Sequence, residues 1–449
     1  MTAPRIIVPG ATTAITRRTT MRKAFLAPWH SGVGQAWLYS LALAQKHTEV
    51  AVHHAARVVT HHHLTVTPEH DNLPRFTQIF HHELSCAINT LLAHQRYDQP
   101  GELFDSRATH MMRLCDDAAQ STHLNYEYLN TVAAGLVSRP EHMPGFAFDF
   151  DLWLRGHIDV RRPDFYFSDK QPEVLRLQVT PPPLLLLAFD GDMHKLVYQM
   201  RRLAEQGARE LRAKRSGPPL GARAVTRLHP WSEPRTLRET RGKRLPTFRI
   251  GARGIVGHQA HVEAALETRH YRDRHEQARI ARKGGDLERE FPFGTYQMRV
   301  HHGVPIADPD LGTAIVTRPG PTLRDVQLSL EHRPDHGLPP QSQSNRLQLI
   351  DSTREALIEE ADAICQHAAD GMDFRDPQPT AARRDSGASD DRSTDLDATP
   401  PPPRSAAVRH RFDKRRSDGS DSEAPRVVTL RDRRRGRPPG TRHGNDPPA

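Results

Sequence analysis

Cysteine is scarce in this chain. Cys86, Cys115 and Cys365 lie far apart, are odd in number, and form no CxxC pair. That pattern excludes a disulfide framework and a thiolate zinc site, and it predicts a reducing compartment. Long apolar runs are missing as well. The longest, "LLLLAF" at 184–189, is far too short to span a bilayer. The N-terminal stretch has no apolar core of signal-peptide length. The expectation is a cytoplasmic, nucleoid-associated protein with no membrane among its partners. No loop of the GxxxxGK[ST] type occurs, which counts against a fused helicase, and there are no internal repeats.

Positive charge is in excess. Lys and Arg number 63 against 54 acidic residues, giving +9 and a pI near 9.7. This favours a polyanionic partner, nucleic acid first and an acidic membrane surface second. Hydrophobic residues are only 36%, with 37 prolines and a mean hydropathy of -0.67. Such a composition predicts a globular part joined to polar, disordered length. From residue 370 onward Asp, Arg, Ser, Pro and Gly dominate, so 370–449 reads as a disordered basic, Pro-rich tail. Within it, Arg435-Gly436-Arg437-Pro438 matches the core of an AT-hook-like element. The plainer reading is a basic tail that binds DNA by counterion release.

Residues 12–148 read as one α/β domain. "KAFLAPW" (23–29) suits a strand and "GQAWLYSLALAQKH" (34–47) a helix. "EVAVHHAARV" and "VVTHHHLTVT" are rich in β-branched residues and read as two strands. Phe76, Phe80, Leu84, Ala87 and Leu91 recur at helical spacing within 73–95. A second helix is expected from about 122 to 137. The order strand–helix–strand–strand–helix predicts an α+β ferredoxin-like sandwich with a small antiparallel sheet. "SRPEHMPG" (138–145) breaks that domain. A mixed α/β region of unknown role follows over 149–345, with a strand in "EVLRLQVT" and a helix over 192–215. A short helix is expected at 346–369.

The run His61-His62-His63 raises the question of a metal site. Side chains alternate along a strand. His62 shares a face with Val58, Leu64 and Val66, so it should pack inward. His61 and His63 share the more polar face, with Cα atoms about 7 Å apart from the strand rise. Two imidazoles so placed can hold one divalent ion. The alternative is a histidine-rich chain (28 in all) that placed three on a surface strand. Tyr126 and Asn130, at i and i+4, flank the apolar stripe Leu129, Val132, Ala133 and Leu136 on one helix. Tyr128 is its near neighbour in sequence but stands about 200° around the helix from Tyr126, so both cannot face the same site.

"THHHLTVTPEHDNLPRF", then "YEYLNTVAAGLV", then "MPG", together resemble the REP-associated tyrosine transposases, of the HUH single-tyrosine class. The stretch "ITRRTTMRKAFLAP" (15–28) looks like that family's opening strand, and the likeness covers about residues 12–145. It implies that His61 and His63 are the HUH pair binding Mg²⁺ or Mn²⁺. It further implies that Tyr126 is the nucleophile and that Asn130 completes the metal site. Arg17, Arg18, Arg22 and Lys23 would belong to the DNA-contacting N-terminal segment. The substrate would be single-stranded or hairpin DNA, nicked through a 5′-phosphotyrosine with a free 3′-OH, by a monomer or dimer. Two departures stand out. Thr131 follows Asn130 where the family has proline, and Thr60 precedes the motif where asparagine is common. They keep open a catalytically silent hairpin-binding protein on the same scaffold. A rolling-circle initiator or relaxase shares the chemistry, but often carries a second catalytic tyrosine or a helicase domain. "HPWSEPRT" and "FPFGTYQMRVHHGV" look like further motifs of long family members. His301 and His302 there are read as surface histidines.

Overall fold

The structure is a computed structural model that describes residues 4–107, 109–234, 245–331 and 374–375. All of these fall in the first of two compact units, Met1–Thr380. The short helix expected at 346–369, nearly all of the tail and the AT-hook-like element lie outside the described residues.

Strand β1 (Thr13–Arg18) is followed by α1 (Ser31–Thr48), β2 (Ala51–Arg57), β3 (His61–Thr67), α2 (Leu73–His94), β4 (His110–Leu114) and α3 (Asp117–Ala133). The chain continues through α4 (Leu152–Arg155), the hairpin β5 (His157–Arg161) and β6 (Val174–Gln178), α5 (Pro183–Ala188) and α6 (Met193–Lys214). Beyond lie α7 (Ala222–Val225), β7 (Glu233–Pro234), β8 (Phe248–Arg249), α8 (Gly254–Lys283), α9 (Gln297–His302), α10 (Leu323–Glu331) and β9 (Phe374–Arg375), which pairs with β7.

The main sheet has the order β2-β3-β1-β4-β8. Its first four strands pair antiparallel, and β8 joins the edge parallel to β4. Helices α1 and α2 cover one face. Ile15, Leu64 and Val66 point into that core beside Phe76, Phe80 and Leu84. Helix α3 covers the other face, where Ala14, Met112 and Leu114 meet Ala119. Helices α1, α3 and α6 start where a side chain satisfies an otherwise orphaned backbone N–H. Asp116 caps α3 by accepting from Ala119 N at 2.6 Å. Asp192 caps α6 by accepting from Lys195 N. Helix α6 turns Leu196, Met200, Ala204 and Leu211 inward at helical spacing. It packs on α3, and Gly207 allows the approach, since a Cβ there would sit 2.5 Å from Leu129 Cδ1.

The main core is continuous across residue 148. Phe148, Phe150, Trp153, Leu175 and Leu177 belong to the same cluster as Trp37 and Phe80. The β5–β6 hairpin reaches the sheet through Thr180 N, which donates to Val52 O.

Two expectations for local structure fail. Residues 23–29 are not a strand but a buried turn in which Ala24, Phe25, Leu26 and Ala27 are all fully covered. Here the backbone instead bonds to distant loops, Ala24 N to Ser232 O and Leu26 N to Val59 O. The opening strand lies earlier, at β1. Helix α3 also begins before residue 122 and stops at Ala133, because Asp116 caps it and Gly135 then takes φ 70.

Candidate active site

Strand alternation sets the site. In the β1–β3 register His62 lies opposite Arg17, His63 opposite Thr16, and His61 opposite Arg18. His62 points into the α1–α2 core, where its Nε2 meets His81 Nε2 at 3.1 Å. His61 and His63 point the other way, their rings edge to face at 4.8 Å. Tyr126 descends from α3 onto them, its ring 5.4 Å from that of His63. Asn130, one turn later, hydrogen-bonds His61. His61, His63 and Tyr126 line a cleft of about 440 Å³.

Both histidines are held neutral. Burial, then the charges of Arg18 and Arg22, push His61 down to about 3, against an opposing hydrogen bond to Asn130. Burial and the neighbouring His61 hold His63 well below its usual value. A neutral imidazole keeps a lone pair for a metal. His63 Nδ1 is engaged by the Thr16 hydroxyl at 2.9 Å, while its Nε2 is buried without a hydrogen-bond partner. That orphaned nitrogen is what a metal ligand looks like before the metal arrives, and the hydroxyl behind it fixes the ring. Among the described residues no group of three or more His, Cys, Asp or Glu is placed to hold a metal. The Asn130 amide, bonded to His61, is a further polar group beside this pair.

Beneath Tyr126 is a buried acid that sequence reasoning did not single out. Glu127 accepts from the Thr65 hydroxyl at 2.9 Å. It also contacts His54 Nδ1 at 3.2 Å and His123 Nε2 at 3.3 Å. Burial alone would raise this carboxyl. Hydrogen bonds from His123 and His54 outweigh it and hold the group at about 2. His123 in turn lies against the Tyr126 ring at 5.5 Å. The signal was present in "HLNYE", where His123, Tyr126 and Glu127 stand at i, i+3 and i+4.

The four basic residues expected at the N-terminal segment separate. Arg17 and Arg18 line the cleft. Arg17 is steadied by Thr109 Oγ1 at 2.6 Å and lies 5.3 Å over the Phe104 ring. Arg22 follows β1 in a turn with φ 53, and its charge reaches His61. Lys23 pairs instead with Glu233 at 2.8 Å and does not line the cleft.

Tyr128 faces away. Its ring stacks on Phe150 at 4.8 Å and 20°, and it lines a different cavity with Arg201 and Arg212. Trp231 of "HPWSEPRT" packs edge-on against Phe25 at 5.1 Å. In "FPFGTYQMRVHHGV", Phe291 is a core residue, while His301 and His302 are exposed.

No protein-family model matches the chain, and no curated protein matches it. Among solved structures, a REP-associated tyrosine transposase bound to a REP hairpin is similar. It is 14% identical, with a TM-score of 0.28, over 40% of this chain and 98% of that one. No helix among the described residues is long and apolar enough to cross a membrane.

Proposed function

We propose that the chain is a metal-dependent, single-tyrosine DNA nicking and strand-joining enzyme of the HUH transposase type, acting on single-stranded hairpin DNA. The observation that carries this is the meeting of Tyr126, His61 and His63 in one arginine-lined cleft, with Asn130 hydrogen-bonded to His61. The βαββαβ order, with strands arranged 2-3-1-4, supports reading the N-terminal part as a ferredoxin-like sandwich.

His61, His63 and Asn130 would hold Mg²⁺ or Mn²⁺. A divalent ion there would polarise a phosphoryl oxygen and orient the scissile group. Arg17 and Arg18 would grip the flanking phosphates. The Tyr126 hydroxyl oxygen attacks phosphorus and gives up its proton. The bond from phosphorus to the 3′ oxygen breaks, and that oxygen leaves as a free hydroxyl. The phosphotyrosine so formed keeps the bond energy, and attack by a 3′ hydroxyl in the reverse sense rejoins a strand. Tyrosine ordinarily ionises near 10, so its surroundings must activate it.

The test is a cleavage assay on labelled hairpin DNA from the flanks of the protein's own gene, with Mn²⁺ or EDTA. A covalent adduct that needs metal, and that disappears in Tyr126→Phe and in His61→Ala/His63→Ala, is the expected result. DNA that binds without being cut, equally in parent and Tyr126→Phe, would replace the enzyme by a silent hairpin-binding protein.

A further inference from the structure

The cleft has a wall that comes from far along the chain. Leu245, Pro246 and Arg249 line it together with His61, His63 and Tyr126. Strand β8 pairs with β4 so that Leu114 lies beside Arg249 and Arg113 beside Phe248. Paired residues of neighbouring strands share a face. Leu114 belongs to the α3 side, so Arg249 projects to that side too. Phe248 turns to the opposite face, against the ring of His261 on α8 at 5.2 Å.

The segment is firmly tied. Arg113 N donates to Thr247 O and Cys115 N to Arg249 O, each at 2.9 Å. His110 Nε2 meets Pro246 O at 2.7 Å. Gly251 N and Ala252 N donate to the Asp116 carboxylate at 3.0 and 3.1 Å. Gly251 lies so close to the first turn of α3 that a Cβ would come within 2.2 Å of Ala119 N. The same carboxylate that starts α3 therefore also anchors the segment leaving β8.

We propose that Arg249 is a phosphate-binding residue of this cleft, gripping the DNA strand opposite Arg17 and Arg18; this rests on the proposed reading of the cleft as a DNA site. Three features favour it. The cleft lining is basic, with Arg17, Arg18, Arg107 and Arg249 against Asp105 among the described residues. A planar guanidinium matches phosphate oxygens through two parallel hydrogen bonds. Its backbone is fixed before any ligand arrives, so little further ordering is needed. The downstream region is thus part of the substrate site rather than an appendage to it.

The experiment uses the full-length chain, with Arg249→Gln and Arg249→Lys. A fluorescein-labelled single-stranded oligonucleotide is titrated by anisotropy across a salt series, and adduct formation is timed at saturating DNA. Arg249→Gln should bind roughly ten-fold more weakly. The slope of log affinity against log salt should fall by about 1. The adduct rate at saturation should stay within about three-fold, because binding rather than chemistry is lost. Arg249→Lys should recover the slope. Equal affinity and slope in parent and Arg249→Gln, with the parent binding and cutting normally, overturns the role of Arg249 alone. A parent that binds no DNA removes the reading and the proposal together.

Discussion

Tyr126 and Tyr128 stand two residues apart on α3 and live in different chemistry. Tyr126 faces the two histidines of β3, with His123 and a buried carboxylate beneath it. Tyr128 stacks on Phe150 and leans on Phe146. Burial, with Glu141 and Asp149 nearby, pushes its hydroxyl up and away from ionisation. The helix supplies both directions from one short sequence. What separates the proposed nucleophile from a packing residue here is the neighbours, not the residue type.

The largest effect that can break this comparison is covalent. Tyr126→Phe should abolish the protein–DNA adduct on a denaturing gel, whereas Tyr128→Phe should retain it. Adducts that persist in the first variant and vanish in the second would exchange the two roles. Next in size is stability on the Tyr128 side. Phe150 is 1% exposed, so Phe150→Ala should cost about 3–5 kcal/mol. Urea denaturation measures this, and a loss under about 1 kcal/mol would deny that ring its place in the core.

The Tyr126 side should declare itself through acid. His53 is pushed down to about 4 by burial, against a hydrogen bond to Thr180 O, and His61 to about 3. Both lie below the unfolded value near 6.5, so the folded chain binds fewer protons than the unfolded one. Stability is then full above about pH 6.5 and drains as pH falls towards 4 and 3. Glu127 adds loss of the same sign lower down, from about 4.5 to 2, where its partners no longer hold a charged carboxylate. A melting midpoint that does not change between pH 7 and 5 would contradict this. The smallest expected effect is Thr16→Val, which frees His63 Nδ1. It should slow adduct formation roughly ten-fold with little change in DNA affinity.

Local periodicity was legible in the sequence, while long-range partnership was not. The two-residue period of β3 separates His62 from His61 and His63, and the structure places them on opposite faces. Helical spacing likewise separates Tyr126 from Tyr128. The buried turn at 23–29 misled because its apolar run has the residue types of a strand. Its hydrogen bonds go to residues 59 and 232, which no local pattern announces. Strand β4 is five residues long and follows a loop, and β8 is two residues from a distant stretch. Neither carries enough alternation to be read alone. Glu127 escaped notice because a single acid within a helix looks like a solvated one until Thr65 and His54 are seen beneath it.

The late arrival of β8 has a consequence for how the protein is made. A ribosome delivers the chain from the N-terminus at roughly 5–20 residues per second. The β4 edge emerges and then waits on the order of ten seconds for the segment that pairs with it. During that interval the nascent chain already holds both histidines and the tyrosine, but not the wall bearing Arg249. Translation therefore delivers Tyr126 and the two histidines before the wall that bears Arg249. A message broken between those two points yields a product with an open-sided cleft.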